Sequence, residues 1–241
     1  DSTSITEMTA ERIRQLLKEL RYLLPTLRFN FHYLPLRQAW RLPIVLCRPH
    51  LVKMKGRVRL EPADGRIRHA MVQMGFRHAM IYPNSGITWE NNGGTVVFRG
   101  QFIIGNDTYL SFGSKTTVDF GDDITNAAGM KLVSLRGMTF GCHDRIGWGC
   151  LFLDSNIHPL FDMKTEQYLP ASGPITIGDH NWFGANCRVL QGTTTPERCI
   201  FAMGTTVTRG STLKSYCVMG GSPVRVLREN VMRVLGHDYE E

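Results

Sequence analysis

From Ile177 onward, every sixth position of the chain repeats a bulky residue: Ile177, Phe183, Val189, Thr195, Phe201, Val207, Leu213 and Met219, with Thr195 the one polar member. Four residues after each stands a small or compact one: Asn181, Cys187, Thr193, Cys199, Thr205, Ser211, Cys217 and Pro223. A beat of six fits neither the helical period of 3.6 nor the strand period of 2. It fits the hexapeptide repeat of a parallel β-helix, in which each unit supplies a short strand and a turn and three units close one triangular coil. The bulky column should point into the prism, and the small column should sit where its walls crowd.

The same beat recurs upstream in other phases: Phe140, Ile146 and Phe152 with Cys150 in the small column, then Phe120, Asn126 and Leu132, and a fragment at Ile104 and Leu110. Phe152 and Ile177 are not separated by a multiple of six, so the pattern predicts an excursion loop over 153–174. Long loops that interrupt a regular scaffold tend to carry function. Residues 6–24 place Ile13, Leu16, Leu17, Leu20, Leu23 and Leu24 at amphipathic-helix spacing. Residues 25–55 are rich in Pro, aromatics and Arg, as expected of a cover over the open end of a solenoid; the same surface would suit an anionic membrane. The stretch from Pro223 to Leu235 reads as a short second helix. The expected organisation is therefore a helical or irregular N-terminal cap at 1–60, a β-helix domain at 61–222 and a helical tail at 223–241.

Composition adds limits. Of 241 residues, 42% are hydrophobic and 20% charged, an ordinary globular balance. No segment has the length of apolar residues needed to span a bilayer, and the first residues lack a signal-peptide layout, which predicts a cytoplasmic protein. The net charge of +7 is compatible with an anionic partner, but no nucleic-acid-binding motif accompanies it. The six cysteines form no CxxC pair, and four lie in the small inward column, so they read as buried thiols of a reducing compartment rather than a disulfide framework.

The strings DSNIHPLFD, PITIGDHNWFGANCRVLQG, MGTTVTRGS and GGSPVRVLRE occur in that order. Together they resemble the hexapeptide acyltransferases, nearest the galactoside and maltose acetyltransferases and the polysaccharide O-acetyltransferases, over roughly residues 96–230. The resemblance implies a left-handed β-helix, a homotrimer with sites between neighbouring prisms, and acetyl-CoA as co-substrate without a metal. It places the catalytic histidine at His158, which takes the proton of a sugar hydroxyl as that oxygen attacks the thioester; an imidazole titrates in the right range for this. It implies Trp182 and Gly184 in the cofactor groove and Thr208, Arg209, Arg225 and Arg228 toward the CoA phosphates, where cations are required. Asp154 and Asn156 become candidates to orient His158 or meet the acceptor, and Asn126, Arg136 and Trp148 candidates for the acceptor surface.

The departures concern the acceptor. Ala127 and Leu135 stand where galactoside acetyltransferases hold an Asn and an Asp that grip the sugar, and Asn156 replaces an Asp common two residues before the histidine. The expected function is O-acetylation of a sugar hydroxyl, in a bacterial surface polysaccharide or its precursor, with peripheral contact at the inner membrane face left open. An amino-sugar or antibiotic acetyltransferase and a non-catalytic scaffold also remain open. The β-helix carbonic anhydrases bind zinc through three histidines, but His143, His158 and His180 lack their closely spaced ligand pair.

Overall fold

Short strands whose alternate side chains turn inward stack into a three-sided prism; the computed structural model describes residues 23–78 and 84–234. Eight parallel strands form the first face, from Ile44–Leu46 and Val72–Phe76 up to Trp182–Phe183, Cys199–Phe201 and Cys217–Gly220. Seven form the second, from Pro49–Met54 to Arg188–Leu190 and Thr206–Val207, and five the third, from Arg57–Leu60 to Ile175–Thr176. Up to Ile175–Thr176 the strands of the prism belong to the three faces in turn, so each of these coils visits all three.

The two sequence columns occupy the interior as expected. Ile177, Phe183, Val189, Thr195, Phe201, Val207 and Met219 are buried, as are Asn181, Cys187, Thr193, Cys199, Thr205 and Cys217, while Leu213 and Ser211 are half-buried and Pro223 is exposed. The bulky column builds a continuous aromatic spine, with Phe183 and Phe201 stacked at 4.7 Å and Phe120 and Phe140 at 5.1 Å. Cys150, Cys187, Cys199 and Cys217 are buried and unpaired, and burial pushes the Cys199 thiol up to about 12.

Two boundaries differ from expectation. Parallel pairing begins at Ile44, not at residue 61: Ile44–Leu46 pairs with Val72–Phe76, and Arg57–Leu60 with Thr95–Phe98. Irregular corner segments separate these first strands, so no sixfold beat marks them. The tail is not helical. Arg225–Glu229 is a strand that pairs antiparallel with Cys217–Gly220. Its helix-like spacing loses to the unpaired backbone groups of the last strand, and Val224 and Val226 pack on the core instead.

At the other end a helix runs through 23–33, followed by a short turn of helix at Leu36–Ala39. Phe29 is fully buried with its ring edge-on to Trp89 at 5.0 Å. Asn30 donates to the carbonyls of Thr26 and Ile44, and the Leu46 N–H donates to Thr26 Oγ1, which stitches this helix to the first coil. The amphipathic pattern over 6–24 lies almost wholly outside the described residues.

Candidate functional site

The excursion leaves the prism at the corner between the second and third faces. Its neck is closed by a bridge between Ser155 and Ser172, and beyond it Leu160–Asp162 and Gln167–Leu169 form an antiparallel hairpin. Asp154 makes the neck rigid. Its carboxylate is fully buried and accepts from Ser134 Oγ at 2.8 Å and from the N–H groups of Leu135, Arg136 and Gly137 at 2.7–2.9 Å. Those bonds commit Asp154 to the turn at 134–137, so it neither orients His158 nor faces an acceptor. Arg136 donates to Ser172 Oγ at 2.8 Å and thereby braces the returning strand of the neck.

His158 sits just outside this neck. Its N–H donates to the Asn156 carbonyl at 2.7 Å, and the preceding Ile157 holds a left-handed φ of 66°, which a β-branched residue rarely adopts. Asn156 and His158 are exposed, and no bond to the described residues occupies the imidazole. At the same corner row, Arg209 lies against the returning chain: a Cβ added to Gly173 would come within 2.5 Å of a terminal guanidinium nitrogen of Arg209. Thr208 takes part in a local turn with Ser211.

A groove of about 840 Å³ lies elsewhere, over the outer surface of the first face. Arg145 pairs with Trp182, and Trp182 in turn with Ile200, so successive coils supply one wall. Asn126, Ile103 and Thr125 line it too, with Trp148 at the next corner. Trp148 and Trp182 are 40% and 42% exposed, so two large aromatic faces are open to this groove. Asn126 is buried; its amide donates to the carbonyls of Ile146 and Gly147, so it fixes the corner that carries Trp148, while its Oδ1 has no hydrogen-bond partner among the described residues.

The charge here is prearranged. Arg145 donates to Asp123 Oδ2 at 2.8 Å and to its carbonyl at 2.6 Å, and His143 Nδ1 lies 2.9 Å from the same carboxylate. Burial alone would raise the Asp123 carboxyl, but the bonds from Arg145 and His143 outweigh it and hold it below the usual carboxylate range. His143 and His180 stack at 4.7 Å on the corner between the third and first faces. Burial, and then the nearby Arg198 and His143, keep His180 below its ordinary imidazole value. His158 is on a different corner, so the three histidines are not brought together.

Gly184 turns the corner after Trp182, where an added Cβ would lie 2.8 Å from the Met203 nitrogen; its role in the fold is close coil packing. Arg225 and Arg228 are exposed on the reversed strand of the first face. One chain thus gathers the named residues into two groups on different sides: Asn156, His158, Thr208 and Arg209 at one corner, and Asn126, Trp148, Trp182, Gly184, Arg225 and Arg228 along the first face. Sequence reasoning missed Arg145. Aligning the two hexad phases puts Ile146 level with Phe183, and the preceding residues, Arg145 and Trp182, then fall side by side.

No protein-family model matches the chain. Over 140 residues, 56% of its length, it is 24% identical to a polysialic acid O-acetyltransferase of Escherichia coli O1:K1 / APEC. The match covers 41% of that relative, so the chain spans about two-fifths of its length. Among solved structures it is similar to the polySia-specific acetyltransferase NeuO, with a TM-score of 0.54 at 19% identity over 80% of this chain and 75% of that one. The polysialic acid O-acetyltransferase OatWY gives a TM-score of 0.45 at 15% identity, over 79% of this chain and 93% of its own. The likeness to NeuO shows a shared fold, a left-handed β-helix of hexapeptide repeats.

Proposed function

We propose that this hexapeptide-repeat β-helix is an acetyl-CoA-dependent O-acetyltransferase that acts on a saccharide hydroxyl, in the cytoplasm where that thioester is made. One observation carries the reading: His158 stands exposed on a braced neck, its imidazole unbonded among the described residues, at a place where the repeat is broken. Its role is general base. It takes the hydroxyl proton as the oxygen bonds to the acetyl carbonyl carbon; the carbon–sulfur bond then breaks and the thiol of CoA leaves with a proton. Such a base contributes about 10²–10⁴-fold. Sequence similarity to a polysialic acid O-acetyltransferase supports a polysaccharide as acceptor.

The active unit in this reading is a homotrimer. Ile157 beside His158, and Leu160, Phe161, Met163 and Tyr168 in the hairpin beyond it, are exposed apolar side chains that a single chain leaves in water. Docked on a neighbour, the hairpin carries His158 to that neighbour's groove. Trp182, Gly184, Thr208, Arg209, Arg225 and Arg228 then serve acetyl-CoA, and Asn126, Trp148 and Asn156 the acceptor.

The test is release of free CoA from acetyl-CoA with a panel of oligosaccharides, polysialic acid included, for wild type and His158→Ala. Acceptor-dependent release that falls by 10²–10⁴ in the variant is expected. Equal rates in both proteins would remove His158 as base. Sedimentation equilibrium should give three times the chain mass; a monomer with full activity would sink the shared site.

A further inference from the structure

The N-terminal end of the prism has two unlike surfaces. Its inner side is fastened to the first coil through Phe29, Asn30 and Thr26, as described above. Its outer side carries apolar side chains that nothing among the described residues covers: Leu24 is 71% exposed, Leu36 67% and Trp40 72%. Trp40 is not loose, since Phe31 meets its ring edge-on at 4.9 Å.

The charge on this end has one sign. Between Glu19 and Glu61 the chain holds no acidic residue, yet it carries Arg21, Arg28, Arg37, Arg41, Arg48, Lys53, Lys55, Arg57 and Arg59. Arg28, Arg37 and Arg41 are exposed on the same cap segments as the three apolar side chains. Beside them, a shallow groove of about 330 Å³ runs between the helix and the first coil, lined by Leu24, Pro25, Pro49 and Leu51 with Arg28 among them.

We infer that this end cap docks on an anionic lipid surface. Exposed leucine and tryptophan beside unopposed arginine is the composition of interfacial segments, whose apolar side chains enter the headgroup boundary while cations meet lipid phosphate. An aromatic ring at that depth is favoured because one part of it is apolar and another tolerates water. A soluble anionic polysaccharide fits less well. Sugar hydroxyls are commonly met by carboxylate and amide acceptors, and the described cap segment 23–41 has no carboxylate, while Leu24 and Leu36 offer sugar nothing. No helix among the described residues is long and apolar enough to cross a membrane, and the contact inferred here is of a surface with headgroups. The acetyltransferase reading is independent of this surface, which lies at the end of the prism away from His158.

The experiment is co-sedimentation of the full chain with vesicles of phosphatidylcholine alone and of phosphatidylcholine mixed with phosphatidylglycerol. Binding is expected only to the mixed vesicles. It should fall about tenfold or more for Arg28→Glu/Arg37→Glu, and similarly for Leu36→Ser/Trp40→Ser, since each charge and each buried apolar group adds separately. Melting curves and CoA-release rates in solution should match wild type, which separates lost docking from lost folding. Wild type left in the supernatant with both vesicles would overturn the inference. So would unchanged sedimentation of Leu36→Ser/Trp40→Ser, or binding of dextran sulfate that weakens in step with vesicle binding in that variant, because the surface would then be reading a soluble polyanion.

Discussion

Arg145 and Trp182 are register partners on adjacent coils, and the Asp123 carboxylate holds the arginine in place. A fixed cation and a half-exposed indole thus share one wall of the first-face groove. Trp182→Ala should raise KM for acetyl-CoA about tenfold, about 1.4 kcal/mol, with a smaller change in kcat. Its melting temperature should stay near wild type, since the ring is 42% exposed. An unchanged KM would remove Trp182 from the cofactor wall.

Asp154 is expected to matter for the neck and only through the neck for chemistry. Asp154→Ala leaves three backbone N–H groups and the Ser134 hydroxyl without their acceptor, a loss of at least about 3 kcal/mol of stability. Asp154→Asn should lose less, because its oxygen still serves the donors on one side. Urea unfolding midpoints of the three proteins order these effects; equal midpoints would contradict the bonding pattern.

Asp144 makes stability depend on pH in the direction opposite to most carboxylates. It is fully buried, its Oδ2 has no hydrogen-bond partner among the described residues, and burial pushes its carboxyl up to about 8. The folded chain therefore keeps this proton while the unfolded chain releases it near the usual carboxylate value of about 4. The contribution of this group to stability is full below pH ~4 and declines toward pH ~8, with a limiting slope of about 1.4 kcal/mol per unit. Asp144→Asn keeps an oxygen for the Asn181 N–H and removes the charge. Urea midpoints between pH 5 and 9 should be flatter in the variant, and higher than wild type at the alkaline end. Parallel curves for the two proteins would show that Asp144 is ionised in the fold.

Phe201 reports on the spine. It is fully buried and stacked on Phe183 at 4.7 Å with planes 8° apart. Phe201→Ala should cost about 3–5 kcal/mol, because close-packed coils relax little into the space. A loss under about 1 kcal/mol would mean that the coils collapse around the missing ring.

The inner columns were legible because the prism imposes one demand at every coil: something bulky to fill the axis and something small at the corner. Phe183, Val189, Phe201 and Cys199 answer it at fixed spacing. The first coil was not legible, because Ile44, Leu46, Val58 and Leu60 face inward just as these do, but corner segments of unequal length scramble their spacing. The tail was misread for another reason. Val224, Leu227 and Val231 carry helical spacing, yet the partner that decides the outcome, the open backbone of Cys217–Gly220, is visible only in three dimensions. At the site, the excursion around His158 was readable as a break in period. The occupation of Asp154 was not, since its donors lie about twenty residues upstream.

The reversed strand at Arg225–Glu229 has a consequence for assembly. A parallel β-helix ends in rungs that would accept another rung, and stacked copies would grow into a fibre without limit. On the first face, the final rung is met by a strand running the opposite way, with charged side chains at Arg225, Arg228 and Glu229. A second copy arriving end-on would meet the wrong polarity and a row of charges, so on this face growth along the axis stops.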